Sequence, residues 1–144
     1  MLDEEAYRRA RDEAGICPFE KAILCGCCRC SLAAKHNIAE REAVSCNFMP
    51  SLELCLKLHH LLREKALFSL KLTHLQEKLP HGKEMKIQCG GLVGLEKAIS
   101  GLEEVADISI LVSKAIHVFG ELEALPYSEI VQSVSSFAIR QRHQ

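Results

Sequence analysis

Residues 51–76, SLELCLKLHHLLREKALFSLKLTHLQ, carry the longest helical pattern in this 144-residue chain. Leucine and other apolar side chains recur three and four residues apart over a broad arc, which is the spacing of a buried helix face. Ser51 is the expected N-cap, because its side chain can accept a hydrogen bond from a free amide of the first turn. The pattern therefore predicts a helix at the centre of the core.

Helical patterns also occupy most of the remaining sequence, and the alternation typical of strands is scarce. We expect further helices over residues 2–13, around Ala34, and over 39–44, 92–99 and 106–119, a break at 80–82, and a final helix opening at Pro126. Residues 85–89 are ambiguous, and the glycines that follow them predict a tight turn or a close approach of two backbones. The predicted fold class is all-α. We expect a single compact bundle over residues 1–144, with a cysteine-rich metal-binding segment at 17–46 and a helical core at 51–144.

Charge and hydropathy exclude several classes of protein. The 18 Lys and Arg residues against 19 Asp and Glu give a net charge of −1, so no basic field favours nucleic acid. No apolar run approaches the ~20 residues that cross a bilayer. Residues 1–14 form a charged run without the apolar stretch of a secretory signal, so we expect a cytoplasmic protein.

Eight cysteines are the main chemical feature, because in a reducing compartment such a set favours metal binding over disulfides. Residues 25–30, CGCCRC, hold four thiols in two overlapping Cys-x-x-Cys pairs, a density that core packing does not explain. One metal centre would use one pair, and more distant thiols would complete its shell. The predicted ligands are a subset of Cys17, Cys25, Cys27, Cys28, Cys30, Cys46 and Cys55, with Cys89 and His59 as possible additional ligands.

The spacing of the cysteines bears on the kind of metal. Structural zinc usually takes two well-separated short pairs, and this chain has one dense segment plus single cysteines at long, unequal separations. An iron-sulfur cluster tolerates that arrangement better because each iron takes its own thiolate, so a 4Fe-4S cluster is the favoured cofactor and zinc the alternative. Two further interpretations remain open, thiol-disulfide chemistry at a Cys-x-x-Cys pair and core packing of single cysteines such as Cys55 and Cys89.

These patterns predict a small iron-sulfur protein acting in electron transfer, cluster delivery or redox sensing, with a protein redox partner or a cluster acceptor. The alternative is a zinc-stabilised or metal-free helical module that binds another protein through its apolar helices. An enzyme is the less favoured class, because no Ser-His-Asp order and no pair of carboxylates can be proposed from spacing.

Overall fold

A computed structural model describes residues 15–71 and 79–138, together with Glu5, Ala6 and Arg9. The described chain is mostly helical and includes one two-stranded antiparallel sheet. Its elements in order are α1 Glu20–Leu24, β1 Ala33–Ile38, β2 Arg41–Cys46, α2 Met49–Ala66, α3 His81–Met85, a π-helical segment Lys86–Gly90, α4 Gly91–Ser100, α5 Ile108–Phe119, a 3-10 turn Leu122–Ala124 and α6 Tyr127–Ser136. No described helix combines the length and apolarity needed to cross a membrane.

The β-hairpin corrects the all-α prediction. Strands β1 and β2 pair from Ala33 opposite Cys46 to Ile38 opposite Arg41, where we expected short helices around Ala34 and over residues 39–44. The turn residues Ala39 and Glu40 both adopt positive φ, a conformation that joins strands but ends a helix. Tertiary pairing therefore overrides the helix propensity of the alanine, lysine and glutamate residues in this segment.

Helix α2 confirms the predicted central helix, but its first and last residues differ from those predicted. It begins at Met49 with Pro50 in its first turn, a position where proline costs no hydrogen bond, so Ser51 is not the N-cap. It ends at Ala66 rather than at Gln76, and residues 72–78 lie outside the described part of the chain. Five side chains spaced three or four apart on one face are buried, namely Leu52, Cys55, Leu58, Leu62 and Ala66.

Residues 81–100 form one uninterrupted helical stretch, in which α3 passes through the π-helical segment into α4. The glycines in it allow close packing and do not make a turn. A Cβ atom built on Gly90 would lie 2.7 Å from the Cα of Val134 in α6, and one on Gly91 would lie 2.8 Å from the Cδ1 of Leu62. Of the two predicted roles, the close approach of backbones is therefore the one observed.

Helices α4, α5 and α6 lie close to their predicted positions, whereas α1 falls in a part of the cysteine-rich segment where the sequence pattern predicts no helix. Helix α4 ends at Gly101, which has a φ of 79°, and α5 ends at Gly120 after an N-cap in which the Asp107 carboxylate accepts from the Ser109 amide. Helix α6 follows Pro126 as expected. Of the predicted helix over 2–13, Glu5, Ala6 and Arg9 are helical and the rest lies outside the described residues, as does the C-terminal end from residue 139.

One buried apolar cluster joins the cysteine-rich segment to the later helices. Phe19 and Val44 from the former are fully buried with Leu58, Leu92 and Ile130 from the latter. The cysteines therefore lie against the main core.

Candidate metal centre

Four cysteines distant in sequence line one cavity, and we call Cys17, Cys30, Cys46 and Cys55 the cavity cysteines. The rest of the lining is apolar or small, with Leu32, Ala33, Leu52 and Ile108 beside three serines. Cys17 and Cys55 are buried, whereas Cys30 and Cys46 are partly exposed. The cavity thus presents four thiols in an apolar setting near the surface.

Backbone pairing along the edge of β2 places two of these thiols. The Cys17 amide donates to the Val44 carbonyl at 2.8 Å, and the Cys46 amide donates to the Gly15 carbonyl at 3.1 Å. Gly15 has a φ of 67°, so it turns the chain into this short antiparallel contact. Cys17 and Cys46 are therefore held on neighbouring strands by main-chain hydrogen bonds.

The other two cavity cysteines come from either side of the hairpin. Cys30 precedes β1, and its carbonyl accepts from the Ala33 amide at 3.2 Å. Cys55 lies on the buried face of α2, the helix that follows β2. Four separate positions along 39 residues of chain, 17 to 55, therefore converge on one cavity.

The electrostatics of the cavity disfavour four free thiolates. Burial raises the pKa of Cys17 to about 12, despite a hydrogen bond from the Phe19 amide to its sulfur, and charge on Cys30 or Cys46 would raise it further. Burial also raises the pKa of Cys55 to about 12, and charge on each of the other three cavity cysteines acts in the same direction. A bound cation reverses such shifts because it attracts thiolate charge.

A second group of sulfurs lies around the loop after α1. The sulfurs of Cys25, Cys27 and Cys89 all lie within 4.8 Å of one another, and within the described residues no other trio of His, Cys, Asp or Glu is so close. Cys27 and Cys89 are joined as a disulfide. The sulfur of Cys25 lies 3.8 Å from that of Cys89. The sulfur of Cys27 lies 3.6 Å from that of Cys28, which is buried. We call these four residues the loop cysteines. Cys25, Cys27 and Cys89 could hold a metal ion.

Main-chain contacts hold the loop cysteines in place. Gly26 has a φ of 84°, which turns the chain directly after α1, and the Cys28 amide then donates to the Ala22 carbonyl at 3.2 Å. The next residue is also held by the main chain, because the Arg29 amide donates to the Val105 carbonyl at 3.3 Å. Cys89 is fully buried in the π-helical segment, a form of helix that is frequent at functional sites.

Gln88, a buried polar residue beside Cys89, connects the loop to the helical core. Its Oε1 accepts from the Ala22 amide at 3.0 Å, and its Nε2 donates to Glu84 Oε2 at 2.7 Å. Burial alone would raise the pKa of Glu84, but hydrogen bonds from His59 and Gln88 outweigh it and hold this pKa below its ordinary value. This network fixes α1 against the segment that carries Cys89.

The structure thus divides the predicted ligands into two groups. Each of the seven named cysteines, and Cys89 with them, belongs to the cavity or to the loop. The Nε2 of His59 lies 2.8 Å from Glu84 Oε2, and the His59 ring packs edge-on against Phe19. These contacts join His59 to the hydrogen-bond network of Gln88 and Glu84 rather than to a cysteine group. Ligation by His59 stays a prediction. Sequence spacing missed Gln88, whose only signal was its position next to Cys89.

No protein-family model, no curated protein and no solved structure matches this chain.

Proposed function

We propose that the protein binds a 4Fe-4S cluster through Cys17, Cys30, Cys46 and Cys55 and acts in one-electron transfer. The observation that carries the proposal is the convergence of four thiols on one cavity with an apolar lining. Four thiolates are the usual ligand set of such a cluster.

Sulfur spacing favours a cluster over a single ion in this cavity. Four thiolates around one zinc at 2.3 Å lie about 3.8 Å apart, whereas thiolates on the corners of a 4Fe-4S cube lie roughly 6 Å apart. No trio of cavity sulfurs falls within 4.8 Å. The wider set therefore suits the larger cofactor.

The surroundings of the cavity also suit electron transfer. The Phe19 amide donates to Cys17 Sγ at 3.4 Å, and hydrogen bonds to cluster thiolates are one means by which proteins tune reduction potential. Cys46 is partly exposed and is followed by exposed Phe48 and Met49, so the edge of a cluster would lie near a surface that a protein redox partner can approach. We expect no role for nucleic acid.

The test is anaerobic reconstitution with ferrous iron and sulfide, followed by metal analysis, absorbance spectroscopy and voltammetry. We expect four irons per chain, absorbance at about 400 nm and one reversible electron. Cys30→Ser and Cys46→Ser should lose the cluster, while Cys25→Ser, a matched cysteine outside the cavity, should retain it. A colourless protein with zinc in the cavity would contradict the proposal and favour a zinc-stabilised interaction module.

A further inference from the structure

The loop cysteines have a sulfur geometry different from that of the cavity. Cys25 and Cys89 sulfurs are 3.8 Å apart and those of Cys27 and Cys28 are 3.6 Å apart. Both distances match the edge of about 3.8 Å in a tetrahedral zinc-thiolate site, and neither matches the roughly 6 Å of a 4Fe-4S cluster. The sulfurs of Cys25, Cys27 and Cys89 therefore have the spacing of ligands to a single small ion, whereas Cys28 lies outside that trio and is close to Cys27.

We infer that Cys25, Cys27 and Cys89 form a second, single-ion site for a thiophilic divalent metal of the zinc class, and that the Cys27–Cys89 disulfide is the oxidised alternative of the same site. Zinc is four-coordinate and has no redox chemistry of its own, and three protein ligands leave its fourth position to a ligand such as water. The disulfide uses two of the three ligands, so metal and disulfide exclude each other.

The surrounding structure is compatible with both states. The α-carbons of Cys27 and Cys89 lie 6.3 Å apart, a separation that a disulfide spans and that also lets both sulfurs reach one ion. The main-chain bonds of Cys28 and the contact of Gln88 with Ala22 hold both sides of the site independently of the sulfur bond. The exchange therefore needs little backbone movement.

Oxidation of the metal-bound site balances with a two-electron acceptor such as diamide. The thiolates of Cys27 and Cys89 each lose one electron, their two zinc-sulfur bonds break, and one sulfur-sulfur bond forms. The bond from zinc to Cys25 breaks as well, and water supplies the protons for the Cys25 thiol and for the reduced diamide. Diamide takes up the two electrons and two protons as its hydrazine, and zinc leaves as the divalent ion. Cys25 and Cys27 are partly exposed, so metal and oxidant can reach the site, whereas Cys28 and Cys89 are buried.

The experiment adds zinc, or cobalt as a spectroscopic probe, to the reduced full-length protein after its cluster has been reconstituted. We expect one equivalent of metal, with cobalt giving tetrahedral thiolate spectra. Cys25→Ser and Cys89→Ser should lower the affinity by more than about 100-fold, because loss of an outer-shell partner alone costs 10–100-fold. Cys25 is partly exposed, so Cys25→Ser can still test the site if a serine at the buried position 89 makes the Cys89→Ser protein unstable. Ser113→Ala, an exposed change on α5 outside both cysteine groups, is the control and should bind zinc as the parent does.

Diamide should then release this zinc, and peptide mapping of the oxidised protein should find the Cys27–Cys89 disulfide. A reductant added afterwards should restore zinc binding. The inference is overturned by no uptake of zinc or cobalt, by uptake that Cys25→Ser leaves unchanged, by release without that disulfide, or by four irons bound at these cysteines. Failure of the cluster proposal looks different, because Cys46→Ser would then retain its iron while zinc still depends on Cys25.

Discussion

Replacement of Gln88 by methionine tests whether the buried amide fixes α1 against the π-helical segment. Methionine has similar length and flexibility, so the change removes two hydrogen bonds with little change in volume. The Ala22 amide would lose its acceptor at 3.0 Å, and the Glu84 carboxylate would lose its donor at 2.7 Å.

The expected loss of stability follows from these two partners. A buried amide without an acceptor costs about 1–3 kcal/mol, and a hydrogen bond to a charged group contributes about 1.5–3 kcal/mol. Burial of a methionine side chain in place of an amide recovers about 1–2 kcal/mol of this. We therefore expect Gln88→Met to lower the free energy of unfolding by about 3 kcal/mol, the middle of a range of about 0.5–5 kcal/mol and a large part of the stability of an ordinary domain.

Urea denaturation followed by circular dichroism measures this change, provided that the denaturant slope stays constant. Gln132→Met is the matched control, because Gln132 is exposed on α6 and its replacement should change the free energy of unfolding by less than about 0.5 kcal/mol. If Gln88→Met unfolds at the same urea concentration as the Gln132 control, the bridge to Ala22 contributes nothing and the reasoning is wrong.

Three other predictions test the fold and its metal dependence. Glu84 has a lowered pKa in the folded state, so its stabilisation is present above its unfolded pKa of about 4.3 and is lost as pH falls through the folded value. Urea titrations between about pH 6 and pH 3 should therefore show a steeper loss of stability in the parent than in Glu84→Gln, and equal slopes would refute this. Gly90→Ala should destabilise the protein, because about 1–3 kcal/mol of overpacking against Val134 exceeds the gain of up to about 1 kcal/mol in helix propensity. The exposed Ser113→Ala is its control, and a stabilised Gly90→Ala would contradict the close backbone approach. Removal of metal with a chelator under reducing conditions should leave most helical circular dichroism and concentrate protease cuts between residues 15 and 47, since ligation offsets the entropy of ordering that segment. Uniform protection there in verified apo protein would show that packing alone holds it.

Helices with clear end signals could be predicted closely, and the hairpin could not. Gly101, Gly120 and Pro126 mark ends that depend on local backbone preference, which a single sequence displays. The hairpin has no Asn-Gly or Asp-Gly turn and contains many helix-favouring residues. It also gains main-chain contacts from residues 15–17, which precede it by more than ten positions. Contacts of that kind are not visible in local patterns.

The cysteines illustrate the same limit at the level of the site. Their number and density indicated a thiol-based metal site, and that inference depends only on composition. The overlapping Cys-x-x-Cys pairs left open whether Cys25 would join Cys28 or Cys27 would join Cys30. Main-chain bonds place Cys30 at the start of the hairpin, and Cys27 lies beside Cys89. A spacing of three residues permits shared ligation but does not require it, because the path of the loop decides which sulfurs meet.

The interleaved order of the two cysteine groups has a consequence for biosynthesis. All four cavity cysteines precede residue 56, whereas Cys89 lies 62 residues after Cys27. At roughly 5–20 residues per second of translation, the thiols of residues 25, 27 and 28 leave the ribosome seconds before their partner. In the two-site proposal, they would compete during that interval with the cavity cysteines for any iron or zinc within reach of the nascent chain. If both proposed sites are filled during synthesis, early closure of the hairpin would withdraw Cys30 and Cys46 from the competition before residue 89 is made.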